Sequence, residues 1–225
     1  MIKKLNPQIK YYKHSVISLC DFTGNMVRPW AEEGYECYCI DTKHSICDRK
    51  VMNVGKGRIW FIWGDIRTWS PELEIISRLK ILFAFPPCTH MTVSGSQHFR
   101  NKGTALLRDS LEMFSACEHA GRWSGVPYMI ENPVGKFSDH MGKPDYIFDP
   151  YNYGDNYTKK TCLWTGNNFI MPEFTIKTKP IDVDTKKIHY MGGYERGREG
   201  TSTPEGFSKK VFEVNHALFK SQSCS

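Results

Sequence analysis

The sequence holds no apolar run approaching the roughly twenty residues that a membrane-spanning helix needs. It has no internal repeat and no low-complexity tract, which excludes solenoids, propellers and compositionally biased linkers as the main architecture. The opening residues, MIKKLNPQIKYYKH, are charged and lack the apolar centre of a secretory signal, so the expected location is the cytoplasm. A disulfide framework is missing too. The eight cysteines stand at 20, 37, 39, 47, 88, 117, 162 and 224, mostly inside apolar runs, and read as reduced thiols.

What is present fits one globular domain. A chain of 225 residues is long enough for one well-built core and too short for two comfortable ones. Its 40% hydrophobic content, thirteen Phe and six Trp suit an ordinary enzyme rather than a disordered chain. The formal charge of +6 favours a polyanionic partner such as nucleic acid, because lysines and arginines release counterions when they meet phosphates.

Short apolar runs rich in β-formers recur at SVISLC (15–20), YECYCID (35–41), RIWFIWGD (58–65), KILFAFPP (80–87) and VPYMIENP (126–133). Helices are expected between them: at 26–34; at 70–79, with Ser70 as cap and Pro71 in the first turn; and at 103–123, with Leu106, Leu107, Ser110, Leu111, Phe114 and Cys117 on one face. This alternation predicts an α/β fold with a doubly wound, mostly parallel sheet. Beyond residue 133 the pattern gives way to turn-rich sequence, until Thr203 and Pro204 introduce a last helix over 203–222.

In such a sheet ligands lie beyond the carboxyl ends of the strands, so the residues that follow each strand carry the functional signal. DFTGN (21–25) follows the first strand, and Gly24 permits a tight turn with close approach of a ligand. Asp41 ends the second strand, where an acidic residue would bind ribose hydroxyls, and Asp65 follows the third. Three such features in order point to a nucleoside cofactor. FPPCT (85–89) follows the fourth strand and delivers Cys88 on a proline-stiffened loop; ENPVG (131–135) follows the fifth.

FPPCT, then ENP, preceded by an F-x-G turn and an acidic strand end, resembles the cytosine-C5 DNA methyltransferases, especially short phage-type members with PPCTH…SG and a late TPEGF…VN helix. The resemblance covers most of 15–165 and again 203–216. It implies a Rossmann-like fold of the S-adenosylmethionine-dependent methyltransferase type. It implies three regions: a catalytic and cofactor-binding domain (1–165), a small recognition or loop segment (166–202), and a C-terminal helix packing back on the first (203–225). S-adenosylmethionine would lie against Phe22, Gly24, Asp41, Asp65, Pro86 and Asn215. Cys88 would be the nucleophile toward cytosine carbon 6, Glu131 the proton donor to N3, and Lys160, in the basic tract YTKKTCLW, the group supporting the ring carbonyl. Pro87, Asn132 and Pro133 would line the base site. The partner would be DNA, with cytosine flipped from the duplex or exposed in a single strand, in the host-cell cytoplasm for a phage-encoded enzyme. Arg196 and Arg198, in the glycine-rich basic segment 192–204, would contact phosphates.

The chain departs from that family at Met26, where a second glycine is common, at Thr89, where a glutamine is usual, and in the shortness of 166–202, which predicts slight sequence discrimination. Each residue also has a plainer reading. An isolated Cys88 would be a buried structural thiol, Glu131 a surface turn residue, Asp41 the start of a turn. Cys37, Cys39, His44 and Cys47 have the composition of a zinc site, but Cys-x-Cys on a strand puts both thiols on one face, where they are core residues, and no metal is expected. His90 and His98 follow Cys88 closely; the plain reading is solvated loop histidines, with His90 a proton-relay candidate. Two other functions fit the same residues: C5 methylation of a free cytidine nucleotide, and a non-catalytic nucleic-acid-binding protein of this fold.

Overall fold

The computed structural model describes residues 12–87, 99–135, 137–185 and 203–222. The five expected parallel strands all form: β1 Ser15–Leu19, β2 Glu36–Ile40, β4 Gly57–Ile62, β5 Leu79–Ala84 and β6 Tyr128–Pro133. Three strands not expected from the sequence complete the sheet. β3 (Lys50–Val54) makes an antiparallel hairpin with β4, and β8 (Thr161–Gly166) runs antiparallel between β6 and β7 (Tyr146–Phe148). The order is β3-β4-β2-β1-β5-β6-β8-β7, a doubly wound, mostly parallel Rossmann-like sheet.

Alternation along each strand serves two cores. Val16, Cys37, Cys39, Ile59, Ile81, Phe83 and Met129 face one side, where helices α1 (Arg28–Glu33) and α5 (Glu205–Gln222) cover them. Ile17, Leu19, Tyr38, Ile40, Leu82 and Ile130 face the other, under α2 (Leu73–Ser77), α3 (Phe99–Ser124) and α4 (Phe137–Met141). Strands apolar on both faces are what a parallel sheet covered by crossover helices demands. Trp30 of α1, fully buried, packs edge-on against Tyr35 and Phe212 and so docks α5 to the sheet. Among the described residues no helix is long and apolar enough to cross a membrane.

Two helix expectations need correction. Pro71 does not open a helix: Glu72 is still extended and caps α2 without a side-chain bond, and pairing of Leu79 with Ser15 pulls the chain into β5 after five helical residues. On α3, Ser110, Phe114 and Cys117 are buried, whereas Leu106 lies at the exposed margin of the expected face.

At the amino ends of the strands, Glu36 joins β2 to its neighbours. Its carboxylate accepts hydrogen bonds from Arg58 Nε (2.6 Å), Trp60 Nε1 (2.9 Å) and Arg78 Nη2 (3.1 Å), while Arg78 Nη1 also donates to Tyr12 O (2.7 Å). Burial pushes the Glu36 pKa up, but hydrogen bonds from Trp60, Tyr38 and Arg58 outweigh it and hold it below the ordinary carboxylate value. The stability this confers is present above the unfolded-state pKa of about 4.3 and is lost as pH falls through the folded value. Glu36→Ala removes the buried carboxylate from the Arg78 guanidinium, which keeps Tyr12 O and the exposed Glu74 side chain and its carbonyl, and is expected to cost about 3 kcal/mol in urea unfolding; a loss below about 1 kcal/mol would show the cluster to be dispensable.

Candidate functional site

The chain leaves β1 toward β2 on one side and returns after β4 to place β5 on the other, so the topological switch point lies between β1 and β5. A crevice opens beyond the carboxyl ends of strands at such a point. Cys20, at φ +53°, adopts the left-handed conformation that non-glycine residues rarely take, and turns the chain away from the sheet. Asp21 then shapes the turn: its buried carboxylate accepts from Ser18 Oγ (2.8 Å), Thr23 N (3.0 Å) and Gly24 N (2.7 Å). Gly24 sits at φ +71°, and a Cβ there would stand 3.1 Å from the Phe61 ring, so both backbone and space favour glycine. Met26 is fully buried in the core under α1, so this turn closes with Gly24 and needs no second glycine.

Phe22 is 50% exposed and its ring stacks on His44, centroids 5.3 Å apart. Asp41 extends the pairing of β2 by donating its N–H to Ile62 O, and its Oδ1 accepts from Lys43 N (2.8 Å). Asp65 is more heavily engaged than its place in the sequence implies. Arg67 grips its carboxylate through Nε and Nη2 and also reaches Asp109 on α3 (2.5 Å). The hydrogen bond from Arg67 holds the Asp65 pKa below its usual value. Arg67 stands only two residues on in GDIR, and the turn over 65–69 folds its side chain back onto the carboxylate. A half-exposed aromatic ring, a glycine turn and an acid at the end of β2 fit a nucleoside, by stacking, close backbone approach and acceptance from ribose hydroxyls.

The second half of the site lies at the ends of β5 and β6. Asn132 is buried and its Nδ2 donates to Pro86 O at 2.8 Å, tying the strand end that leads to Cys88 against the one that carries Glu131. The Asn132 Oδ1 atom is buried with no hydrogen-bond partner among the described residues, an acceptor that a bound ligand or water would satisfy. Pro87 is exposed and Pro133 half-buried on the same rim. Because β8 runs antiparallel to β6, with Thr161 opposite Pro133, the residues before β8 arrive beyond the carboxyl end of β6. Lys159 thereby places its Nζ 3.6 Å from Glu131 Oε1, and both side chains are mostly buried. Lys160, the sequence candidate, is exposed and contributes its backbone carbonyl to Val134 N. The adjacent lysines are indistinguishable in sequence; in the structure it is Lys159 that lies beside Glu131.

No family model matches the chain, and no curated protein matches it. Among solved structures it is similar to an E. coli protein described as a DNA modification methyltransferase encoded within a prophage, with 16% identity and a TM-score of 0.38 over 68% of this chain. The match spans 46% of that protein, so the chain covers less than half its length.

The other sequence candidates are placed as follows. Asn215 is fully buried in α5, where its amide donates to Ile170 O and Val211 O and accepts from Ile170 N, clamping residue 170 to the helix. Cys37 and Cys39 are buried core thiols, Cys37 donating to Val27 O, and burial pushes both pKa values well up. Cys47 is exposed, and among the described residues no group of three His, Cys, Asp or Glu side chains is disposed to hold a metal ion. Cys162, which faces Asn132 across the strand pair, is raised to about 11 by burial and the Glu131 charge, so it stays a thiol. Cys88, His90, His98, Arg196 and Arg198 lie outside the described residues. Asn132→Leu leaves the Pro86 carbonyl without its donor and is expected to cost about 1–3 kcal/mol in urea unfolding; an unchanged midpoint would mean that this bond does not hold the two strand ends together.

Proposed function

We propose that the chain is an S-adenosylmethionine-dependent DNA methyltransferase acting on carbon 5 of cytosine, with Cys88 as nucleophile. The observation that supports this reading best is the 2.8 Å bond from Asn132 to Pro86, which brings the strand end two residues before Cys88 against the strand end bearing Glu131. A thiol and a carboxyl that converge on one pyrimidine account for both motifs at once.

In this reading the Cys88 thiolate adds to carbon 6 of the base. The electron pair of the 5,6 double bond passes through C4 and N3, and N3 takes the proton of Glu131. Carbon 5 becomes the nucleophilic end of an enamine. S-adenosylmethionine, when bound, supplies the methyl group, and Phe22, Gly24, Asp41 and Asp65 are the residues that would hold it, with Pro86 beside them. A water molecule takes the carbon 5 proton, the 5,6 double bond re-forms as the Cys88 thiolate leaves carbon 6, and N3 returns its proton to Glu131. Lys159, whose Nζ lies 3.6 Å from Glu131 Oε1, would orient the Glu131 carboxyl and support the ring carbonyl, the role that the resemblance gave to Lys160. Pro87 and Pro133 would shape the base slot. A stacked base cannot reach Cys88, so the DNA substrate would present a flipped or unpaired cytosine, with Arg196 and Arg198 on its phosphates.

The test is the 5-methylcytosine content of duplex DNA after incubation with S-adenosylmethionine, read by nucleoside mass spectrometry. The wild-type chain is expected to methylate and Cys88→Ser to give none. Glu131→Gln is expected to lower kcat by about 100-fold or more, and Lys159→Gln by more than Lys160→Gln. Full activity in Cys88→Ser would overturn the mechanism. Methylation of free cytidine nucleotide with none of DNA would overturn the substrate.

A further inference from the structure

His44 follows β2, and its side chain meets both the β1 turn and the end of β4. Its backbone N–H bonds to Asp41 O beyond β2 (3.3 Å). Its Nε2 lies 3.1 Å from Asp21 O beyond β1. A backbone carbonyl only accepts, so Nε2 carries the hydrogen and the neutral ring is the Nε2–H tautomer. The imidazole lies nearly parallel to the Phe22 ring, at 21° and 5.3 Å, and edge-on to Phe61 of β4, at 69° and 5.3 Å. Lys50 Nζ stands 5.5 Å from the Phe61 centroid, continuing the column outward.

This stack explains how an aromatic ring can be 50% exposed at a turn and still hold one orientation. Without backing, Phe22 on a surface turn would sample several rotamers, and ligand binding would carry the cost of ordering it. We infer that His44 is a positioning residue for the proposed nucleoside cofactor: it backs Phe22 as a fixed stacking platform for the adenine ring and ties the β1 turn to the β2 turn that bears Asp41. The inference rests on the reading of this crevice as a nucleoside site. It requires that the stacking ring of His44, more than its N–H, sets the affinity.

The probes are S-adenosylhomocysteine and adenosine, with dissociation constants measured by calorimetry on the full chain and on His44→Ala, His44→Gln and His44→Phe. His44→Ala and His44→Gln are expected to weaken both probes by about three- to tenfold, the size of one aromatic pair. His44→Phe, which restores the stack without the N–H donor, should recover most of the loss. In turnover the losses should fall on KM for the cofactor and not on kcat. Thermal midpoints identify a variant that misfolds, and the Phe and Gln comparison then carries the test. Equal affinities across the folded variants would overturn the role of His44. Failure of the wild-type chain to bind either probe would overturn the nucleoside reading itself, and this inference with it.

Discussion

A strand buried on both faces has no side chain along its length available to solvent, and that constraint organises this molecule. β1, β2 and β5 are apolar on either side because helices cover both faces of the sheet. Polar chemistry is thereby driven to the strand ends. The amino ends take a structural ion-pair cluster around Glu36; the carboxyl ends take the glycine turn, the acids and the approach to Cys88. Because the sheet is wound in both directions from β1, the carboxyl-end connections diverge at β1 and β5, the point at which folds of this kind open their ligand crevice.

Each half of that crevice depends on a buried polar group that holds backbone. Asp21 fixes the β1 turn by accepting two of its N–H groups, and Asn132 fixes the exit from β5 by donating to the Pro86 carbonyl. Neither side chain needs to touch a ligand to matter: both set where the neighbouring residues point. In the proposed reading Phe22, Asp41 and Asp65 are the half that would hold a nucleoside, and Glu131 and Lys159 the half that would move a proton beside Cys88.

The parallel strands were legible in the sequence because two-sided burial writes itself as continuous apolar runs. β3, β7 and β8 were not. β3 is exposed along most of its length, β7 has three residues, and β8 lies in a stretch dense with turn-forming residues, so none presents the run that marked the others. Missing β8 had a direct consequence, since only an antiparallel strand beside β6 brings Lys159 to Glu131. Asp65 was legible as a strand-end acid, but its capture by Arg67 required knowing that the 65–69 turn folds back on itself. Asn215 followed a motif into a core position that only the packing of α5 against Ile170 reveals.

The central claim is that Cys88 attacks a cytosine in DNA, and covalent trapping tests it directly. A duplex carrying 5-fluorocytosine in many contexts is incubated with the protein and S-adenosylmethionine; fluorine at carbon 5 cannot leave as the proton does, so the thioether to carbon 6 persists. The account predicts an adduct with the mass of protein plus DNA, mapped to Cys88 by digestion. A folded protein that binds both the duplex and the cofactor yet forms no adduct would contradict it.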